Sequence, residues 1–152
     1  VGGALIGQDA VSSTSLQVTT TNVHGWNASV AGPSNTWGMS DGLSGVAHQL
    51  PLVGTPATPA AWASGVGGFG ISVLSATGGK DTARWGTGVT QSDFTNLKWA
   101  TPIASTSMLL HDRPAYDATT QTVSLAMRAN APIGTDPGNF TSTLVFTIVP
   151  NV

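Results

Sequence analysis

Three histidines, His24, His48 and His111, seven carboxylates that are all aspartate, and many serines and threonines are the residues of this 152-residue chain with a capacity for chemistry. The histidines form no i,i+4 pair and the chain has no cysteine, so the ligand spacing of a zinc site is missing and structural or surface roles are expected for them. No Gly-x-Ser-x-Gly elbow is present, because Ala63-Ser64-Gly65 lacks the first glycine. A glycosidase carboxylate pair would have to come from aspartates alone, without the usual glutamic acid. Gly65-Val66-Gly67-Gly68-Phe69-Gly70 has the glycine density of a phosphate loop, but a strand and not a helix N-terminus follows it. Hard cations want several oxygens, and Asp112, Asp117 and Asp136 lie in turn-rich segments, which makes them the candidate ligands of a structural calcium ion; solvated turn aspartates are the alternative. No nucleophile–base pair stands out, and the expectation is a protein that is not an enzyme and needs no other cofactor.

The five tryptophans divide into two groups. Trp26 sits on an alternating segment and is expected in the core. Trp37, Trp62, Trp85 and Trp99 lie near loops, where exposed rings could stack on sugar faces, so these four are the candidate glycan contacts. Arg84 next to Trp85 suggests a cation–π contact. Asn27-Ala28-Ser29 and Asn139-Phe140-Thr141 match the N-glycosylation pattern, which short Thr-rich chains meet by chance.

The elements that must carry these residues read as strands. Ser15 to Thr19 alternates, and Trp26 to Val30 repeats the pattern after Asn22-Val23-His24-Gly25, as in a hairpin or tight connection. Val123, Leu125 and Met127 alternate, as do Phe140, Leu144, Phe146 and Ile148, and a turn-rich link at residues 131–139 suggests a C-terminal strand pair closed by Pro150. Phe69 to Leu74 and Ser107 to Leu110 add two strands, and Ala4-Leu5-Ile6 is a candidate edge strand. The Gly-, Pro- and Ser-rich excursion between residues 32 and 68 is too long for a structureless loop, so short strands or a helical turn at Ala57 to Ala63 are expected inside it. The sum is one β-sandwich domain over residues 1–152, jelly-roll or Ig-like, with about seven to eight strands.

Composition narrows the partners. Five basic residues against seven acidic ones cannot lay a track along phosphates, so nucleic acid is not an expected partner. No run reaches the ~18 apolar residues of a membrane-spanning helix. The absence of Glu argues against helical bundles, and a 40% apolar content with 8% charge argues against disorder. Thr, Ser and Asn stand in for charge on the polar faces, as in exported β proteins and fibre subunits. Beginning at Val1, the chain reads as a processed or trimmed product.

Two segments taken together resemble a known family. Gly25-Trp26-Asn27-Ala28-Ser29-Val30 resembles the first motif of WxL-type bacterial cell-surface domains. Gly138 to Ile148 resembles their closing strand, aromatic-x-x-x-Leu-x-aromatic-x-aliphatic, through Phe140, Leu144, Phe146 and Ile148. Similar patterns are common in exported surface proteins of bacteria and some archaea. The resemblance implies an extracellular β-sandwich and attachment to peptidoglycan. Ala28 stands where the family has Leu and Phe146 where it has Trp, so what transfers is chiefly the sandwich and its location.

The expected function is an extracellular or cell-surface structural subunit that assembles with copies of itself into a filament, tube or layer. Val1, Ala4, Leu5 and Ile6 are the candidate donor strand, able to complete a neighbour's open sheet; an ordinary edge strand is the alternative. A module binding cell-wall polysaccharide or another glycan is the second expectation, and a viral jelly-roll capsid protein the third.

Overall fold

The computed structural model of the chain describes residues 7–152. Val1, Ala4, Leu5 and Ile6, expected as donor or edge strand, lie outside the described residues. The chain runs β1 (Asp9–Val18), β2 (Trp26–Ala31), β3 (Met39–Ser40), a 3-10 turn at Val46–His48, β4 (Gln49–Leu50), β5 (Gly68–Ala76), one helical turn α1 (Thr82–Trp85), β6 (Met108–Arg113), β7 (Gln121–Asn130) and β8 (Val145–Pro150). The fold is all-β and sandwich-like, with antiparallel sheets ordered β1-β7-β5, β6-β2-β8 and β3-β4.

The period of two decides what each strand buries. On β2, Trp26, Ala28 and Val30 are buried and the residues between them are half-buried. They meet Met108 and Leu110 of β6, Val123 and Leu125 of β7, and Ile71 and Val73 of β5 in one core between the two larger sheets. A second cluster, Trp62, Leu97, Trp99 and Ala126 with Phe94 packed on it, covers the other face of β7. Residues Gly68 to Leu74 of β5 are therefore buried on both faces and read as an apolar and glycine run interrupted only by Ser72. Gly68 has φ +150, and a Cβ there would lie 2.5 Å from a Val53 methyl and 3.4 Å from the Trp62 ring.

Arg128 organises the second cluster. It is fully buried, with its guanidinium carbon 4.1 Å from the ring centroids of both Trp62 and Phe94. It donates to the carbonyls of Trp62 (2.6 Å) and Ala63 (2.8 Å) and to Asp9 Oδ1 at 2.8 Å and 3.0 Å. Asn130 and Ser64 also donate to Asp9. One side chain of β7 thus ties the start of β1 to the irregular layer over the sheet.

Three expectations about connectivity and local structure are corrected. β1 and β2 form no hairpin: β1 pairs β7 and β2 pairs β6 and β8, because residues 19–25 carry the chain across to the other sheet. That crossing needs Gly25, whose φ is +78 and whose Cβ would come 1.7 Å from the Arg113 carbonyl oxygen. β7 and β8 are both strands but not partners, since residues 131–144 also pass between sheets, and Phe140 precedes the regular strand. β8 lies beside β2 instead, with Phe146 opposite Val30 and Ile148 opposite Ala28, so the two segments carrying the family resemblance pair with each other. No helix forms at Ala57 to Ala63: Thr55 and Thr58 close a turn with reciprocal backbone bonds, and Ala60 pairs with Trp99 in extended form. The helical turn falls at Thr82–Trp85, capped by the Asp81 side chain, which accepts from Arg84 N–H.

Replacing Arg128 with Met should cost about 3–5 kcal/mol, because Asp9 and two carbonyls lose a buried cationic partner. Urea denaturation measures it; a loss below about 1 kcal/mol would show that the second cluster holds without the ion pair.

Candidate functional site

The ends of the two larger sheets differ in what lies against them. The outer side of β5 is covered: Phe69 N–H donates to Pro51 O at 3.0 Å, and Ile71 exchanges backbone bonds with Ala100 at 2.9 Å and 3.0 Å. At β6 the Leu110 carbonyl accepts from the Trp85 indole at 3.1 Å. The segment holding α1 and Trp99 thus covers the free edge of β5 with backbone pairing and reaches β6 through one side chain. The edges β1, β6 and β8 have no further partner strand among the described residues, and of these β6 carries Asp112 and Arg113. Natural sheets guard such edges with Lys, Pro or bulges. β8 carries no charge and pairs β2 without a bulge, with Pro150 only at its end. The one charge on β1, Asp9, is held by Arg128. Val145 (58% exposed), Ile148 (44%) and Val149 (44%) leave β8 with an apolar surface.

The glycan reading of the loop tryptophans is corrected for three of the four. Trp62, Trp85 and Trp99 are buried. Trp62 and Trp99 pack edge to face at 5.8 Å around Arg128, and Trp85 is drawn in by its bond to β6. The Arg84–Trp85 cation–π contact forms, at 5.2 Å. Trp26 is buried as expected, edge-on to His111 at 5.5 Å. Only Trp37 remains half-buried, and it stands between two open clefts. One, of about 430 Å³, is rimmed by hydroxyls of Ser40, Ser44, Thr141 and Thr143. The other, of about 310 Å³, is apolar, with Val46 and Ile133 almost fully exposed on its wall. Gln49 lines both.

Beside these clefts His48 links two loops. Its Nδ1 is 2.9 Å from Asp41 Oδ2 and its Nε2 is 3.4 Å from Asp136 Oδ2. Asp136 N–H also donates to Ala47 O, so the 132–138 loop is fixed to the β3–β4 turn. With a carboxylate facing each ring nitrogen, His48 has no free nitrogen to activate a nucleophile, and the arrangement works as a clamp. The sequence points to a structural or surface role for His48 without linking it to Asp41 and Asp136; the only local signal is the Asp41–His48 spacing across Gly42-Leu43-Ser44-Gly45.

The three candidate calcium ligands are not brought together as a site. Asp112 accepts from Asn151 Nδ2 at 3.0 Å, Asp117 accepts from Thr119 N–H and Oγ1 in its own turn, and Asp136 faces His48. Arg113 stands 3.9 Å from Asp117 and opposes a cation there. Among the described residues no group of three or more His, Asp or Glu is arranged to hold a metal ion.

Hydrogen bonds from Thr119 hold Asp117 at about 2, and the Leu43 N–H with His48 holds Asp41 below its ordinary range. Burial alone would raise Asp9, but Ser64, Asn130 and Arg128 outweigh it and hold the carboxyl low. Burial lowers the His111 pKa against a smaller opposing pull from the Thr77 backbone. In each case the unfolded chain binds protons that the folded chain does not, so all four groups favour the fold at neutral pH. The His111 contribution is expected to fade as pH falls below 6.5, and the carboxylate contributions below 3.8, with Asp117 persisting to about 2. Urea midpoints against pH should show two descending limbs, and His111→Gln should abolish the upper one; an unchanged upper limb would refute its assignment to His111.

No protein-family model, curated protein or solved structure matches this chain.

Proposed function

We propose that the chain is an extracellular structural subunit that assembles with copies of itself by strand addition at its open sheet edges. The supporting observation is the contrast between edges: β5 is covered by backbone pairing and β6 carries Asp112 and Arg113, while among the described residues β1 and β8 are open and carry no free charge to repel a neighbouring strand. The charge-poor, hydroxyl-rich composition supports placement outside the cell. Val1 to Ile6, apolar in sequence, is the proposed donor to an open edge of the next copy. Strand addition suits such a subunit because backbone hydrogen bonds give affinity whatever the side chains, and alternate side chains fix register.

Negative-stain electron microscopy over a range of concentrations tests this reading. Regular filaments, tubes or sheets are expected from the full chain and soluble particles from a chain lacking residues 1–6. Monomers at every concentration would sink the assembly, and unchanged polymers after the deletion would remove the donor role from those residues.

Glycan binding is the second reading, and Trp37 favours it. A half-buried indole wall with hydroxyls on one side and apolar side chains on the other suits the two characters of a sugar ring. Trp37→Ala is expected to weaken retention on cell-wall polysaccharide at least tenfold with the urea midpoint little changed; equal retention of both proteins would discard this reading.

A further inference from the structure

The free side of β8 can be assigned residue by residue. Asn151 N–H donates to the Gly25 carbonyl at 3.1 Å, directly across the β2–β8 ladder. Backbone direction alternates along a strand, so Val145, Thr147 and Val149 turn their N–H and C=O groups toward β2. The same groups of Phe146 and Ile148 therefore point away from the sheet, where among the described residues no strand receives them. Side chains alternate across the sheet faces as well. Phe146 and Ile148 sit opposite the buried Val30 and Ala28 and belong to the core face, yet Ile148 is 44% exposed. Val145, Thr147 and Val149 occupy the outer face. Among the described residues the strand thus lacks hydrogen-bond partners along one side and leaves Ile148 there without full apolar cover.

We propose that a second copy of this chain fills that side, β8 against β8 and antiparallel, about a two-fold axis through Thr147. This rests on the assembly reading and names one of its contacts. The register follows from the pleat. Opposed residues must lie on the same face, so an axis between Thr147 and Ile148 is forbidden because it would set outer-face residues against core-face ones. Centred on Thr147, the pairing places Phe146 opposite Ile148 of the second copy, and these are the residues whose backbone groups are free. Each donates once and accepts once. Val145 falls opposite Val149 of the second copy on the outer face, and the core-face Ile148 is covered by Phe146 of the second copy. Thr147 meets Thr147 at the axis, a favourable cross-strand pair. Centring on Phe146 would set Val145 against Thr147 and Val149 against Thr143, and centring on Ile148 would set Val149 against Thr147 and Val145 against Asn151, so either choice leaves both exposed valines without an apolar partner. No charge lies on β8, so two copies bring no like charges together. The result joins two sheets into β6-β2-β8-β8-β2-β6. A short edge pair is small beside the ~1,200–2,000 Å² of a stable interface, so the contact is concentration-dependent by itself and gains strength inside an assembly.

The chain has no cysteine, which makes the register directly measurable. Thr147 turns its backbone groups to β2, so the Thr147–Thr147 pair is a non-hydrogen-bonded one with Cα atoms ~4.5 Å apart, within the ~4.4–6.8 Å span of a disulfide. Two copies of residue 145 would be ~13 Å apart, beyond its reach. Under mild oxidation T147C is expected to form disulfide dimers at least tenfold faster than V145C or V149C alone, while an equimolar mixture of V145C and V149C forms the mixed dimer. Adding Ile148→Lys, which sets an ammonium against Phe146 of the second copy, should suppress T147C cross-linking, whereas Val46→Lys away from the edge should not. Urea midpoints close to that of the parent chain confirm that the variants fold. T147C dimerising no faster than V145C overturns the pairing. Filaments that survive Ile148→Lys leave the assembly standing and remove β8 from it. T147C dimers without higher polymers keep the β8 contact and end the assembly reading.

Discussion

The buried pair between Arg128 and Asp9 is the constraint on which the outer half of the molecule depends. An unpaired guanidinium in that position would be prohibitively costly to desolvate, so the fold surrounds it with a carboxylate, two carbonyls and two aromatic faces. Meeting those requirements fixes several parts at once. Asp9 sets where β1 begins against β7, the Trp62 and Ala63 carbonyls hold the excursion extended over the sheet, and Trp62, Phe94 and Trp99 close the cage. A loop layer poor in regular hydrogen bonding is thereby given a specific geometry by one side chain.

That layer also decides which sheet edges are open. Trp99 is buried with the cage, and its neighbour Ala100 pairs with Ile71 at the edge of β5. Lys98 N–H bonds the Trp85 carbonyl, and the Trp85 indole reaches β6. The packing that buries the tryptophans is thus continuous with the covering of β5 and touches β6 through one indole. No backbone pairing of that kind reaches β1 or β8 among the described residues, and the layer touches β1 at its first residue, Asp9, so openness there is a consequence of where the irregular segments were drawn in.

Strand positions were legible in the sequence wherever buried residues alternate with less buried ones, as at Trp26, Ala28 and Val30 or at Val123 and Leu125 between Thr122 and Ser124. Partner choice was not legible, because alternation records a face and not a neighbour; β1–β2 and β7–β8 are adjacent in sequence yet divided between sheets. The tryptophans misled for a related reason. Trp62, Trp85 and Trp99 lie in irregular segments, where no periodicity distinguishes a ring turned inward from one turned out, and their burial depends on Arg128 and on the β6 carbonyl. The clamp at His48 joins residues 41, 48 and 136, and nothing local in the chain announces Asp136 as the third member. The open edges were even less visible, since an edge is defined by what fails to pair with it.

The charges show how these features belong together. Lys80 bonds the Val73 and Gly88 carbonyls, Arg84 those of Pro56 and Ala57, Lys98 that of Ala83, Arg113 stands beside Asp117, and Arg128 is buried with Asp9. All five cations are engaged by the chain's own oxygens, chiefly in the irregular layer. Charged side chains on edge strands, lysine above all, are one device that keeps copies of a sheet protein apart. Here the few cations satisfy carbonyls that lie outside any ladder, which is what a loop layer of this size requires, and none remains for β8 or the middle of β1. The chemistry that stabilises the covered side of the molecule therefore leaves the other side unguarded, and an unguarded pair of edges is either a hazard in a free monomer or the contact surface of a subunit.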